Sequence, residues 1–236
     1  MPPLSPSFTG IFLFKVAMEI IELLQMAAPV MLKGVAYTLL FAVGAMVGGL
    51  ILGFLLAIAR ILPSKLISTP AAVYVSLIRG TPLLVQIFVI YYGLPSIGIE
   101  FSATSAGILA LSLNAGAYLS ESIRGAIVGV SRGQWSASAS LGLNYAQTLR
   151  YIVVPQAMRV AVPSMSNTLI SLIKDTSLVS VITVTELMLA TKEVIATSFR
   201  PLPLYIAAAG VYWVLSLCFE VVQRRLEKRL QKAHQV

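Results

Sequence analysis

From Gly34 to Ala59 the chain carries no charged residue, and an apolar run of that length constrains its fold more than any other feature. A helix needs about 20 such residues to cross the roughly 30 Å hydrocarbon core of a bilayer. Three further stretches read as spans: Thr104 to Ser120, continuing helically into Arg124; Val162 to Val184; and Leu202 to Val222. A fifth, Pro82 to Leu94, is a half-span by that measure. It follows the apolar run Ala71 to Ile78 across Arg79-Gly80-Thr81-Pro82. Thr81 suits an N-cap and Pro82 a first helical position, which predicts a helix break there and a second helix reaching the far side at Pro95. Hydrophobic residues make up 58% of the 236 and charged residues 11%. A water-soluble domain could not keep that much apolar surface from solvent. The expected fold class is an all-α membrane protein with five transmembrane helices.

The cations orient those spans. Arg60, Lys65, Arg79, Arg124, Arg132, Arg150, Arg159, Arg224, Arg225, Lys228, Arg229 and Lys232 fall on one side; Lys15, Lys33, Lys192 and Arg200 fall on the other. Lys174 lies inside a span. By the positive-inside rule the N-terminus is outside and the C-terminus inside. The formal charge of +8 is therefore an orientation signal. No basic cluster is interleaved with aromatics, so no nucleic-acid partner is expected. Residues 1–33 carry Lys15, Glu19 and Glu22 among apolar residues and read as an amphipathic helix at the outer interface. A sixth span there is the topological alternative. Residues 34–222 form the expected transmembrane domain, and 223–236 a basic cytoplasmic tail that contacts anionic membrane lipid.

A long polar insert, about 121–163, interrupts the spans. It reads as two short helices joined by a turn. Gln134 to Leu141 is rich in small side chains (Ser136, Ala137, Ser138, Ala139, Ser140), and Gly142 suits the left-handed residue that ends a helix. Asn144 and Gln147 have the spacing of a capping box. Pro155 is expected to bend or end the second helix. The first helix could enter a groove on a soluble partner, with Trp135 as the large anchor that interfaces favour. A helical hairpin resting on the membrane surface fits the same residues.

Inside the membrane, Gly44, Gly48, Gly49 and Gly53 allow close helix approach, either within the chain or between subunits. Ser112, Gly116 and Ser120 form a second small-residue stripe, better explained by packing. Ser164, Asn167, Ser171 and Lys174 or Asp175 recur at helical spacing and line one face. Ionisable groups within a span face protein or water. Asp175 could receive a substrate ammonium; a salt bridge to a neighbouring helix is the alternative for Lys174 and Asp175. Gln86 and Asn114 are uncharged candidates for the same pathway, or interhelical glue. Glu121 and Arg124 are spaced for a local pair. One cysteine, Cys218, and one histidine, His234, exclude an internal disulfide and give no metal cluster. No phosphate-binding loop motif is present, so the chain is not expected to hydrolyse ATP or to be an enzyme.

Gly133-Gln134-Trp135, then Ser-Ala-Ser-x-x-x-Gly and Ile-Val-Val-Pro, resembles the cytoplasmic signature of type I ATP-binding-cassette importer permeases. Ala137, Gly142, Ile152 and Pro155 match that signature; Ser136 stands where the family has glutamate, Ser138 where it has alanine, and Val154 where it has leucine. Arg79-Gly80-Thr81-Pro82-Leu83, Tyr91-Tyr92-Gly93-Leu94-Pro95 and Lys174-Asp175-Thr176-Ser177-Leu178 are similar to the polar amino acid (histidine, glutamine, cystine) branch. The resemblance implies that Gly133, Gln134, Trp135, Ser136, Ala137, Ser138, Gly142 and Leu143 form a coupling helix against a separate ATPase subunit. That subunit would hold ATP and Mg, with no cofactor in this chain. It further implies a second permease subunit, identical or paralogous, a solute-binding protein, and the bacterial inner membrane. Tyr91 to Glu100 looks most like cystine-type permeases. Two other classes compete: a channel or ion-coupled secondary transporter using Lys174 and Asp175, and a non-transport anchoring subunit.

Overall fold

The computed structural model describes residues 6–232, with side chains from 14 to 228. His234 and the side chains of Arg229 and Lys232 lie outside the described residues. Nine α-helices are present among those described: α1 (Pro6–Ile61), α2 (Lys65–Gly80), α3 (Leu83–Phe88), α4 (Ala103–Val128), α5 (Arg132–Ser140), α6 (Tyr145–Thr148), α7 (Val154–Asp175), α8 (Leu187–Ser198) and α9 (Pro201–Lys232). No strand occurs among the described residues.

α1 is the spine. Its 56 residues make a helix about 84 Å long at 1.5 Å per residue. The boundary expected between residues 33 and 34 falls inside it. The reason is packing: Ala27 and Met31 are buried with Leu187, Val194, Leu204 and Ala208 of α8 and α9. A methyl group on Gly34 would lie 2.8 Å from the Leu187 Cα, so this glycine lets α8 sit directly on α1.

α4 runs alongside α1 in the same direction. Methyl groups built at Gly49 and Gly53 would lie 2.8 Å from the Cβ atoms of Ala115 and Leu119. In return, one on Gly116 would lie 2.9 Å from Leu52. Both small-residue stripes therefore serve contact within this chain, which decides between the two readings of the glycine pattern. α7 returns antiparallel to α4, and α9 antiparallel to α7. The central core gathers Phe41, Ile87, Leu111, Leu119, Ile173 and Ile182.

By length and apolarity alone, two helices among the described residues can cross a membrane, within Phe14–Ile61 and Pro201–Lys228. The pair Lys65–Gly80 plus Leu83–Ile97, bent by 107°, makes a third. α4 and α7 fall short by that measure, because Ser112 and Asn114 in one, and Asn167, Lys174 and Asp175 in the other, dilute their apolar character. The break lies where the sequence predicts it, shifted by one residue: Pro82 holds the N-cap position of α3 and Thr81 the C-cap of α2. Thr81 is extended, as a residue before proline prefers, and its hydroxyl donates to the Leu77 carbonyl at 3.0 Å.

Two polar hubs tie the bundle. At the end that carries α5, the Glu121 carboxylate accepts from both Arg60 and Arg124, and Arg79 approaches at 3.8 Å. The expected local pair is thus one side of a four-residue cluster joining α1, α2 and α4. At the opposite end, fully buried Glu186 caps α8, accepting from the N–H groups of Met188 (2.8 Å) and Leu189 (3.1 Å). It also accepts from the Tyr212 hydroxyl of α9 at 2.6 Å and from Thr38 of α1 at 3.4 Å.

Candidate functional site

The insert forms first from local sequence. The Gly142 N–H donates to Ala139 (3.0 Å) and the Leu143 N–H to Ser138 (3.1 Å). These are the two bonds of a Schellman termination, with Gly142 at φ +77°. Asn144 and Gln147 exchange side-chain and backbone bonds at 2.9 Å each, completing the expected capping box. Pro155 does not end the second helix. A π-helical turn, Leu149–Val153, precedes it and joins α6 to α7. The wider turn relieves the clash between a proline ring and the carbonyl four residues back.

The surface of α5 differs from expectation at Trp135 and at Ser138. Trp135 is only partly exposed; it packs on the cluster of Ala57, Ile123, Val153 and Ala157 and stacks on Tyr145, centroids 5.6 Å apart. Its bulk fixes the insert to the bundle. The large side chain left outside is Leu141, 79% exposed. Gly133, Gln134, Ser136 and Ala137 are exposed, Leu143 is half-buried and Ser138 is buried. Ser136, Ser138 and Ser140 each return their hydroxyl to the carbonyl four residues back, at 3.2, 2.7 and 3.1 Å. The outer face of α5 is therefore small-sided, with its hydroxyls already satisfied. Gln156 of α7 donates to Gln134 at 3.2 Å, a further tie between insert and bundle.

A second feature lies between α4 and α7. A cavity of about 580 Å³ is lined by Asn114, Tyr118 and Ser122 on α4, and by Ser164, Asn167, Thr168, Ser171 and Asp175 on α7, with Thr81 and Pro82 at the helix break. Four of the six sequence-chosen pathway residues meet here: Asn114, Asn167, Ser171 and Asp175. Ser122 and Ser164 share a hydrogen bond at 2.8 Å. Asn167 accepts from Gln223 of α9 at 3.0 Å.

Gln86 and Lys174 do not line this cavity. Gln86 is buried behind it, donating to the Ile78 carbonyl at 2.7 Å and to Thr81, and accepting from Asn114. Lys174 is exposed on a different face of α7. Among the described residues neither Lys174 nor Asp175 forms an ion pair, so neither makes a salt bridge to a neighbouring helix of this chain. The α-helix instead ends at Asp175 and continues as a 3₁₀ segment, Thr176–Ile182. Among the described residues, Asp175 is the only Asp, Glu, Lys or Arg side chain in the lining. The cavity can therefore neutralise one cationic group and hydrogen-bond around it. Tyr118 and Ser122 join the lining as well; with Asn114 they recur every four residues, the same helical spacing that marks the polar face of α7.

Residues 49–232 match the family described as binding-protein-dependent transport system inner membrane component. The probable amino-acid ABC transporter permease protein YckA of Bacillus subtilis is 43% identical over 201 residues, 85% of this chain and 89% of that protein. The L-cystine transport system permease protein TcyB of the same organism is 41% identical, over 86% of this chain and 88% of that one. A crystal structure of an amino acid ABC transporter with histidines superposes with TM-score 0.83 at 35% identity, covering 86% of this chain and 94% of that one. The apolar helices, the polar insert and these likenesses agree: the chain belongs to the family of binding-protein-dependent transport system inner membrane components, as an ABC transporter permease subunit and not an enzyme.

Proposed function

We propose that this permease serves an ATP-driven importer of polar amino acids, L-cystine among them. The observation that carries this reading is the cavity between α4 and α7, polar on both walls with Asp175 as its single fixed charge. An α-ammonium meets Asp175 in a charge-assisted contact, while Asn114, Asn167 and Ser171 offer hydrogen bonds to the rest of the molecule. Gln86 holds the helix break in place behind them. The named cargo of TcyB favours cystine, a substrate with two ammonium groups.

In this reading the chain crosses the bacterial inner membrane five times, with its N-terminus outside and C-terminus inside. The chain pairs with a second permease subunit, receives substrate from a solute-binding protein, and couples to an ATPase that holds ATP and Mg. Gly133 to Leu143 enters a groove of that ATPase. Closure of the ATPase moves α5, and because Trp135 and Gln134 tie α5 to the bundle, the spans rock around the cavity in alternating access. Substrate affinity and nucleotide state are then reciprocally linked.

The test is uptake into proteoliposomes containing this chain, its ATPase and the binding protein, with labelled cystine, arginine and glutamine. Uptake of cystine that requires all three components and ATP is the expected outcome. ATP-independent uptake by this chain alone would overturn the importer; preference for another label would overturn cystine.

A further inference from the structure

This inference rests on the membrane orientation proposed above, which puts the α5 end of the bundle on the cytoplasmic side. At that end a shallow cavity of about 460 Å³ opens between α2 and the ends of α1 and α4. Its walls include Arg60, Arg124, Ser68, Thr69, Ser76 and Val73, and no acidic residue.

The charge there is unbalanced. Arg60, Arg79 and Arg124 all converge on Glu121, so three cations share one anion and two positive charges remain. One carboxylate offers about four acceptor sites, whereas three guanidinium groups bring roughly fifteen N–H donors. Among the described residues the Arg124 Nε is buried without a hydrogen-bond partner. Beside the arginines α2 presents hydroxyls: Thr69 and Ser76 are exposed and Ser68 half-buried. An apolar stripe of α2 reaches the cavity at Val73. Leu66, Val73 and Leu77 are 86%, 59% and 59% exposed, and their spacing places them on one helical stripe. Surplus guanidinium, a row of hydroxyls and an adjoining apolar stripe are the elements of a phosphate site at a membrane surface.

We infer that this cavity binds the phosphodiester headgroup of an anionic phospholipid of the inner leaflet. Arg60 and Arg124 meet the phosphate, Thr69 and Ser76 donate to it, and the acyl chains lie along Val73 and Leu77.

The test is native mass spectrometry of the intact permease–ATPase complex, titrated in detergent with dioleoylphosphatidylglycerol, dioleoylphosphatidylcholine or sodium phosphate. Phosphatidylglycerol is retained and phosphatidylcholine is not. Thr69→Glu and Ser76→Glu put a carboxylate into the cavity at exposed positions outside the Glu121 cluster. Each lowers phosphatidylglycerol occupancy about fivefold, the effect of one charge at a membrane surface, with thermal midpoint and ATPase co-purification unchanged. Equal retention of the two lipids, or unchanged occupancy in both variants, overturns the inference. Displacement by sodium phosphate at the same concentrations overturns the lipid assignment in favour of a free anion. The readout does not use transport. Lipid binding with no uptake would overturn only the importer reading, and uptake without lipid selectivity only this one.

Discussion

The Asn114 side-chain amide donates to the Gln86 carbonyl oxygen at 3.1 Å, and through that bond α4 holds the break between α2 and α3. The Gln86 amide nitrogen completes the link by donating to Ile78 and Thr81. A cavity wall and a helix junction thus share one side chain.

Gln86→Leu leaves the Asn114 amide without a partner and the Ile78 carbonyl with only the long 3.5 Å bond from the Thr81 hydroxyl. The expected loss is about 1–3 kcal/mol, read as a lower thermal midpoint of the detergent-solubilised protein. Adding Asn114→Leu should cost less than the sum of the two single changes, because both act on one network. Strict additivity would show that the two side chains are energetically independent.

Asp175→Asn removes the only fixed charge of the cavity lining. Losing a charge-assisted contact of about 1.5–3 kcal/mol lowers uptake of an ammonium-bearing substrate by roughly 10- to 100-fold. Lys174→Gln lies outside the lining and changes uptake less than about twofold, within the usual range for a surface substitution. The two variants, compared in the same proteoliposome assay, separate a substrate role from a shared relay.

Gly142→Val places a β-branched residue at φ +77°. Left-handed geometry costs an L-residue roughly 1–2 kcal/mol, so the end of α5 rearranges. Membrane insertion persists, while co-purification of the ATPase falls at least about tenfold. Full retention of the ATPase would show that it docks elsewhere.

Glu186→Ala strips α8 of its N-cap and removes the carboxylate that accepts from the half-buried Tyr212 hydroxyl. The combined loss is about 2–4 kcal/mol. Thermal unfolding of the purified chain should show it; an unchanged midpoint would show that Glu186 is dispensable for docking α8 and α9 onto α1.

Gly53→Val drives a side chain into Leu119 and the Gly116 carbonyl, which leave no room even for a methyl group. Overpacking of this kind costs about 1–3 kcal/mol and should lower the yield of folded protein. An unchanged yield would mean that α1 and α4 can separate at no cost.

Features that depend on a few neighbouring residues are legible in the amino-acid sequence. The Gly142 termination, the Asn144–Gln147 capping box, the break at Gly80 to Pro82 and the polar stripe of α7 each depend on contacts within one or two turns. Steric limits on φ and helical periodicity suffice to read them. Tertiary structure alone decided the rest. Trp135 faces inward because Tyr145 and the Ala57 cluster offer it an apolar seat. Glu121 binds three arginines because α1 and α2 end beside α4. Thr38 reaches Glu186 across 148 positions. Asp175 and Lys174, adjacent in sequence, separate into cavity and surface because one helical step of about 100° turns them to different neighbours. Periodicity shows that a face exists; only the packing of distant helices determines what that face meets.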